Sequence, residues 1–190
     1  MRKVKREELL DYQSYSDVRD EMREKILPVK KPRRIALGEN LVFLFENADT
    51  IRYQIQEMMR AEQIVKESAI LEEMETYNAL LGDEGQLACA LLVTIDDPKE
   101  RRKKLEQWLK LPGHIYLKLE DGSKVYADFD PVQVGEDRLS AVQYLKFDLK
   151  GQLPAAIGSD YDALKVEAAL SSEQRAALKE DLEDLSSPVG

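Results

Sequence analysis

The chain has 190 residues, 43% hydrophobic and 34% charged, with 28 basic against 37 acidic side chains and a net charge of −9. That composition describes a globular protein with a solvated surface and a real core, and it excludes a disordered or fibrous polymer. The charge is uneven: residues 1–34 carry +4, residues 35–150 carry −8 and residues 151–190 carry −5.

An acidic body repels a phosphate backbone, so nucleic acid is a poor principal partner. The cluster Lys30, Lys31, Arg33 and Arg34 is either a solvated basic link or a place for a phosphate or an acidic partner. No apolar run reaches the length of a membrane-spanning helix; the longest, Leu87–Ile95, is strand-sized. The chain starts with charged residues and lacks a hydrophobic signal core, which predicts a cytoplasmic protein. Cys89, the only cysteine, sits inside that apolar run and reads as a small buried hydrophobe.

In chain order, the first thirty residues read as helix, with Ser16 as a plausible N-cap, Val18, Met22 and Ile26 on one face, and Pro28 as the stop. Strands are expected at Arg34–Leu37 and Leu41–Glu46 around the turn Gly38-Glu39-Asn40. The second, LVFLF, is apolar at every position and so is covered on both faces. A helix capped by Asn47 or Asp49 follows, running to about Lys66. On a helical wheel Ile51, Ile55, Met58, Met59 and Val65 form its core arc, with Glu62 in the middle of the arc and Gln54 on its flank. A second helix carries the stripe Ile70, Met74, Tyr77 and Leu81, bordered by Glu73 and Asn78 and closed by Gly82.

Leu87–Ile95 is the central-strand candidate. Asp96 or Asp97, then Pro98, open a helix with a basic outer face at Lys99, Arg101, Arg102, Lys103 and Lys104. Glu120-Asp121-Gly122-Ser123 joins His114–Leu119 to Lys124–Phe129 as a hairpin. A strand is expected at Ala141–Leu149, a linker at Gly151–Ser159, and a short amphipathic helix at Ser172–Leu185 with Ala176, Leu178 and Leu182 apolar. The expected fold is α+β: a mixed, mostly antiparallel sheet of five or six strands, the helix pair on one face, and peripheral N- and C-terminal helices. Residues 1–32 form a helical arm, 33–150 the core, and 151–190 a linker and terminal helix of the same domain.

Candidate chemistry concentrates between Phe45 and Leu81. Polar groups near a core are costly unless satisfied, so Glu46, Gln54, Gln56, Glu57, Arg60, Glu62, Tyr77 and Asn78 form either a ligand pocket or a network that locks the helices. Glu57 with Arg60 and Tyr53 is a geometrically reasonable Arg–Glu–Tyr cluster. Glu62, if turned inward, needs a partner such as Arg34 or Arg52, and unpaired it would be a candidate general base. The glutamates of this stretch lack the Glu-x-x-His pairs of a di-iron bundle, because the only histidine is His114. An oxygen-only site for Mg²⁺ or Mn²⁺ is the one metal alternative these carboxylates leave, no glycine loop cradles a phosphate, and no cofactor is expected.

The pieces RRIALGENLVFLFEN, QIQEM-x-R-AE, E-x-YN-x-LL, AVQYLKFDL and LSSEQRAAL-x-x-DL together resemble the bacterial DUF3501 family over nearly the whole chain. The resemblance implies a single domain in a bacterial cytosol and supplies no reaction. It also implies a setting beside rubrerythrin-like and iron–sulfur proteins, hence a redox protein as possible partner, by association alone. The expected function is a non-enzymatic accessory or interaction protein, able to self-associate. The alternative is a small-molecule or metal-dependent enzyme using Glu57, Arg60, Glu62 and Tyr77.

Overall fold

Hydrophobic alternation and the turns between strands set the architecture of the computed structural model, which describes residues 1–184. Strands β1 (Arg34–Leu37), β2 (Leu41–Phe45), β3 (Gln86–Val93) and β6 (Val142–Asp148) form one four-stranded sheet in the order β1-β2-β3-β6. Strands β4 (Ile115–Leu119), β5 (Lys124–Tyr126), β7 (Pro154–Tyr161) and β8 (Leu164–Ala169) form another, ordered β5-β4-β7-β8. Every pair of neighbours is antiparallel. The α+β class is as expected, but there are two sheets where one mixed sheet was expected.

Two strands were missed: β7 begins inside the segment read as a linker, and β8 follows between that segment and α5. Gly151 (φ +75°), following Lys150 in the same left-handed region, turns the chain out of β6, and Pro154–Tyr161 then enters the second sheet as β7. Composition misled here because Pro154, Ala155, Ala156 and Gly158 are poor strand formers alone. Ile157 and Ser159 are nonetheless fully buried against β4. The sheets meet along two seams. Asp128 and Lys146 exchange backbone hydrogen bonds of 2.8 Å across one, and β8 touches β1 at the other. A single apolar cluster joins them, with Phe43, Leu91, Leu145 and Phe147 from the first sheet and Ile115, Leu117 and Ile157 from the second.

Helix α1 (Tyr12–Lys30) is capped by Asp11, whose side chain accepts from the Gln13 and Ser14 N–H groups, and not by Ser16. Pro28 lies inside its last turn. A proline there forfeits one hydrogen bond near an end that would fray anyway. Helix α2 (Ala48–Ala61) starts from an Asn47–Thr50 capping box and buries Ile51, Ile55 and Met59 as read.

Helix α2 stops five residues earlier than the wheel assumed. Gln63 adopts φ +51°, and the bonds Ile64 N–H to Met59 O (2.9 Å) and Gln63 N–H to Arg60 O (3.3 Å) form a Schellman end without glycine. Glu62 therefore sits at the helix cap, exposed to solvent, and Val65 is 70% exposed. Neither faces the core.

Helix α3 (Glu67–Asn78) buries Ile70. Gly82 is required for a different reason from the one expected: a Cβ there would stand 2.9 Å from the Gln86 carbonyl oxygen. Helix α4 (Pro98–Gln107) has Asp97 as cap and anchors through Leu105, with Trp108 just beyond it. Helix α5 (Ser172–Glu183) begins with a Ser171–Gln174 capping box and buries Ala177, Leu178, Asp181 and Leu182. It is no peripheral appendage, since Leu178 and Leu182 belong to the common core. Residues 185–190 of the expected terminal segment fall outside the described part. Among the described residues no helix is long and apolar enough to cross a membrane.

Candidate functional site

Two of the eight predicted residues clamp the N-terminal strap, residues 1–11, onto the helix pair. Gln56, only 1% exposed, accepts from the Leu10 N–H (2.7 Å) and donates to the Leu10 carbonyl (3.0 Å). Asn78 treats Val4 the same way, at 2.8 and 2.9 Å. Each amide imitates one rung of a β-ladder, and Lys3 adds bonds to the carbonyls of Asn78, the last residue of α3, and of Leu81 just beyond it. A buried amide and a half-buried one are thereby satisfied by backbone.

Glu57 does belong to an Arg–Glu–Tyr cluster, with different partners. Arg19 forks onto its two oxygens at 2.8 Å and the Tyr15 hydroxyl donates at 2.6 Å, both from α1. Arg19 holds the Glu57 carboxyl below its ordinary range, burial opposes this, and Tyr15 adds to the lowering. Tyr53 instead lies under the Lys30 ammonium, 5.5 Å from its ring centre. Arg60 is exposed, and Arg52 pairs with Asp49 at 3.2 Å. Gln54 lies beside half-buried Tyr77, whose phenol is raised by burial against the effect of that amide. The eight residues thus face several directions and do not meet at one point. Glu57 and Glu67 are both taken up by arginines, and no cluster of three or more His, Cys, Asp or Glu fit for a metal occurs among the described residues.

Glu46 stands apart, at the end of β2, and lines a cleft of about 590 Å³ whose walls are mostly apolar. Ile26 and Leu27 of α1 form one wall, Leu44 and Phe45 of β2 the other, with Tyr53 beside them and Lys30, Lys31, Arg33 and Arg34 also in the lining. The Thr50 hydroxyl donates to Glu46. Burial pushes the Glu46 carboxyl up, opposed by that hydroxyl and by Lys30, with Arg33 adding a smaller pull down. Cys89, 3% exposed on the neighbouring strand, has its thiol raised by burial and by the Glu46 charge, which makes it inert at neutral pH. A larger hollow, about 930 Å³, opens between α4 and the 132–141 loop. Its lining is dominated by charged and polar side chains, so it lacks the apolar walls with convergent polar groups that mark ligand sites.

Behind the cleft, Arg33 makes a bidentate pair with Asp181 of α5, both bonds at 2.8 Å. It also donates to the Val29 carbonyl at 2.7 Å, and Asn47 donates to Asp181 at 3.0 Å. Burial works against the Arg33 charge, but Asp181 outweighs it and the guanidinium ends above its ordinary value. Burial likewise lifts Asp181 while Arg33 and Asn47 pull it back, so the pair is charged and committed to itself.

The family model described as "Protein of unknown function (DUF3501)" matches residues 3–182. The chain belongs to that family. A crystal structure from Burkholderia pseudomallei K96243, titled a novel protein of unknown function, is similar to this DUF3501 chain at 29% identity and a TM-score of 0.86, covering 95% of this chain and 100% of that one. No curated protein matches it.

Two arrangements in this DUF3501 chain escaped the sequence. The Arg33–Asp181 pair joins residues 148 positions apart, and neither end carries a local signal; only the burial of both reveals it. On the outer face of the second sheet, Asp160 accepts from the Tyr126 hydroxyl (2.6 Å), contacts His114 Nδ1 (3.0 Å) and meets Lys124 (3.3 Å). The Tyr126 hydroxyl, with help from His114 and Lys124 against partial burial, pulls Asp160 down to about 2. His114 thus has the neighbouring carboxylate that sequence could not supply. Cross-strand register brings these groups together, and none of the clefts described above is lined by them.

Proposed function

We propose that this DUF3501 protein is a non-enzymatic, cytoplasmic accessory protein that holds a small molecule in the cleft between α1 and β2. The observation that carries this reading is the cleft itself: about 590 Å³, apolar-walled, with a half-buried carboxyl on its lining. That volume is within the ordinary range for small-ligand sites, roughly 300–1,000 Å³. Its walls belong to a helix and a strand, not to loops, so the site exists before a ligand arrives and little ordering entropy opposes binding. An occupied cleft also changes the surface of α1 that a protein partner would meet; the partner class carried into this proposal is the redox or iron–sulfur protein implied by the resemblance. The alternative, an enzyme on the α2–α3 pair, would need Glu57 free to react and a sheltered Glu62, whereas Arg19 and Tyr15 take up Glu57 and both Arg60 and Glu62 are exposed.

The test uses N-phenyl-1-naphthylamine, an uncharged apolar dye that fluoresces on leaving water. Saturable binding with one site per chain is expected, and it should be lost in Leu27→Trp, which fills the cleft from a position already 53% exposed. No binding by the wild type, or equal binding by a folded Leu27→Trp, overturns the proposal.

A further inference from the structure

Resting on that reading, we infer that the cleft selects an amphipathic anion: an apolar chain ended by a single carboxylate or like-charged group. The apolar part fits Ile26, Leu27, Leu44 and Phe45, where contact with hydrocarbon returns about 25 cal/mol per Å² removed from water. The selectivity comes from charge. Lys30, Lys31 and Arg34 all line the cleft, and among the described residues none of them lies within ion-pair distance of a carboxylate.

Among the described residues 15 of the 28 basic side chains lack such a partner, and what sets these three apart is that they share one apolar-walled lining. Other basic side chains are taken up by carboxylates, Arg19 by Glu57, Arg6 by Glu67 and Arg102 by Glu106. Arg33 is excluded from the count because Asp181 holds it. Glu46 is the one acidic side chain in the lining, and the Thr50 hydroxyl engages it. Three cations against one carboxyl leave the cleft positive whether or not Glu46 is ionised. Lys30 has a preset post over the Tyr53 ring, which orients its ammonium without neutralising it.

The experiment displaces the bound dye with three molecules of one chain length: decanoate, decanol and decyltrimethylammonium. Decanoate should displace at a concentration roughly five- to tenfold lower than decanol, the gain that one or two partly exposed charge pairs give, and the gap should narrow as salt is raised. In the double variant Lys30→Gln, Arg34→Gln the decanoate-to-decanol ratio, each read against that variant's own dye affinity, should fall to within about twofold of one. Equal displacement by all three, or preference for the ammonium drawn by Glu46, overturns the anion inference while the cleft stands. If the wild type fails to take up the dye at all, the binding reading itself falls.

Discussion

Glu46 illustrates how one carboxyl links stability to the cleft. Burial raises its pKa, so the folded state holds the proton more tightly than the unfolded chain does. Ionising it therefore costs stability, and the cost grows as pH rises from the ordinary carboxylate range through the folded value. Glu46→Gln removes the titration. Urea unfolding at pH 4, 5, 6 and 7 should show the variant gaining on the wild type as pH increases; a difference that does not change with pH would contradict the assigned environment. Glu57 has the opposite sign, since Arg19 lowers its pKa; its contribution is present above the ordinary value and fades as pH falls. Two glutamates eleven positions apart thus respond to acid in opposite directions, because one meets mainly hydrocarbon and the other a guanidinium.

Among the elements, the strap of residues 1–11 is the most distinctive. It contains only a single 3-10 turn, Arg6–Glu8, yet buries Met1, Val4 and Leu9. Its backbone has no strand to pair with, and the Gln56 and Asn78 amides take that place. Replacing either amide by alanine leaves a backbone N–H and carbonyl unpaired beside the core, a loss of about 1–3 kcal/mol. Hydrogen exchange should rise across residues 3–10 in Gln56→Ala and Asn78→Ala, with β3 and β6 still protected. Unchanged exchange in the strap would mean that its apolar side chains hold it without help from the amides. Helix α2 teaches a related lesson, because a Schellman end built on Gln63 turned Glu62 outward.

Across the whole molecule, the Arg33–Asp181 pair ties the turn before β1 to α5 and so joins segments 148 positions apart. A buried pair of this kind adds little compared with good apolar packing, but removing one partner strands the other charge. Arg33→Met alone should cost about 3–5 kcal/mol, and Arg33→Met with Asp181→Leu should recover most of it. Chemical denaturation of the two variants decides: a double variant no more stable than the single one would refute the account.

The sequence by itself determined the α+β class, narrowed the caps of α2 and α4 to two residues each, and set the Asp-Gly hairpin and the inward face of the first three turns of α2, since each depends on residues within a few positions of one another. It also marked Glu46 and the basic cluster at 30–34 as polar groups in notable places. Tertiary structure alone decided which groups share a space. Sheet membership of β7 and β8, the seizure of Glu57 by α1, the pairing of Arg33 with Asp181 and the meeting of Glu46 with Lys30 across a cleft all join elements distant along the chain. Periodicity describes which way a side chain leaves its own helix or strand; what it then meets is fixed only when the elements pack.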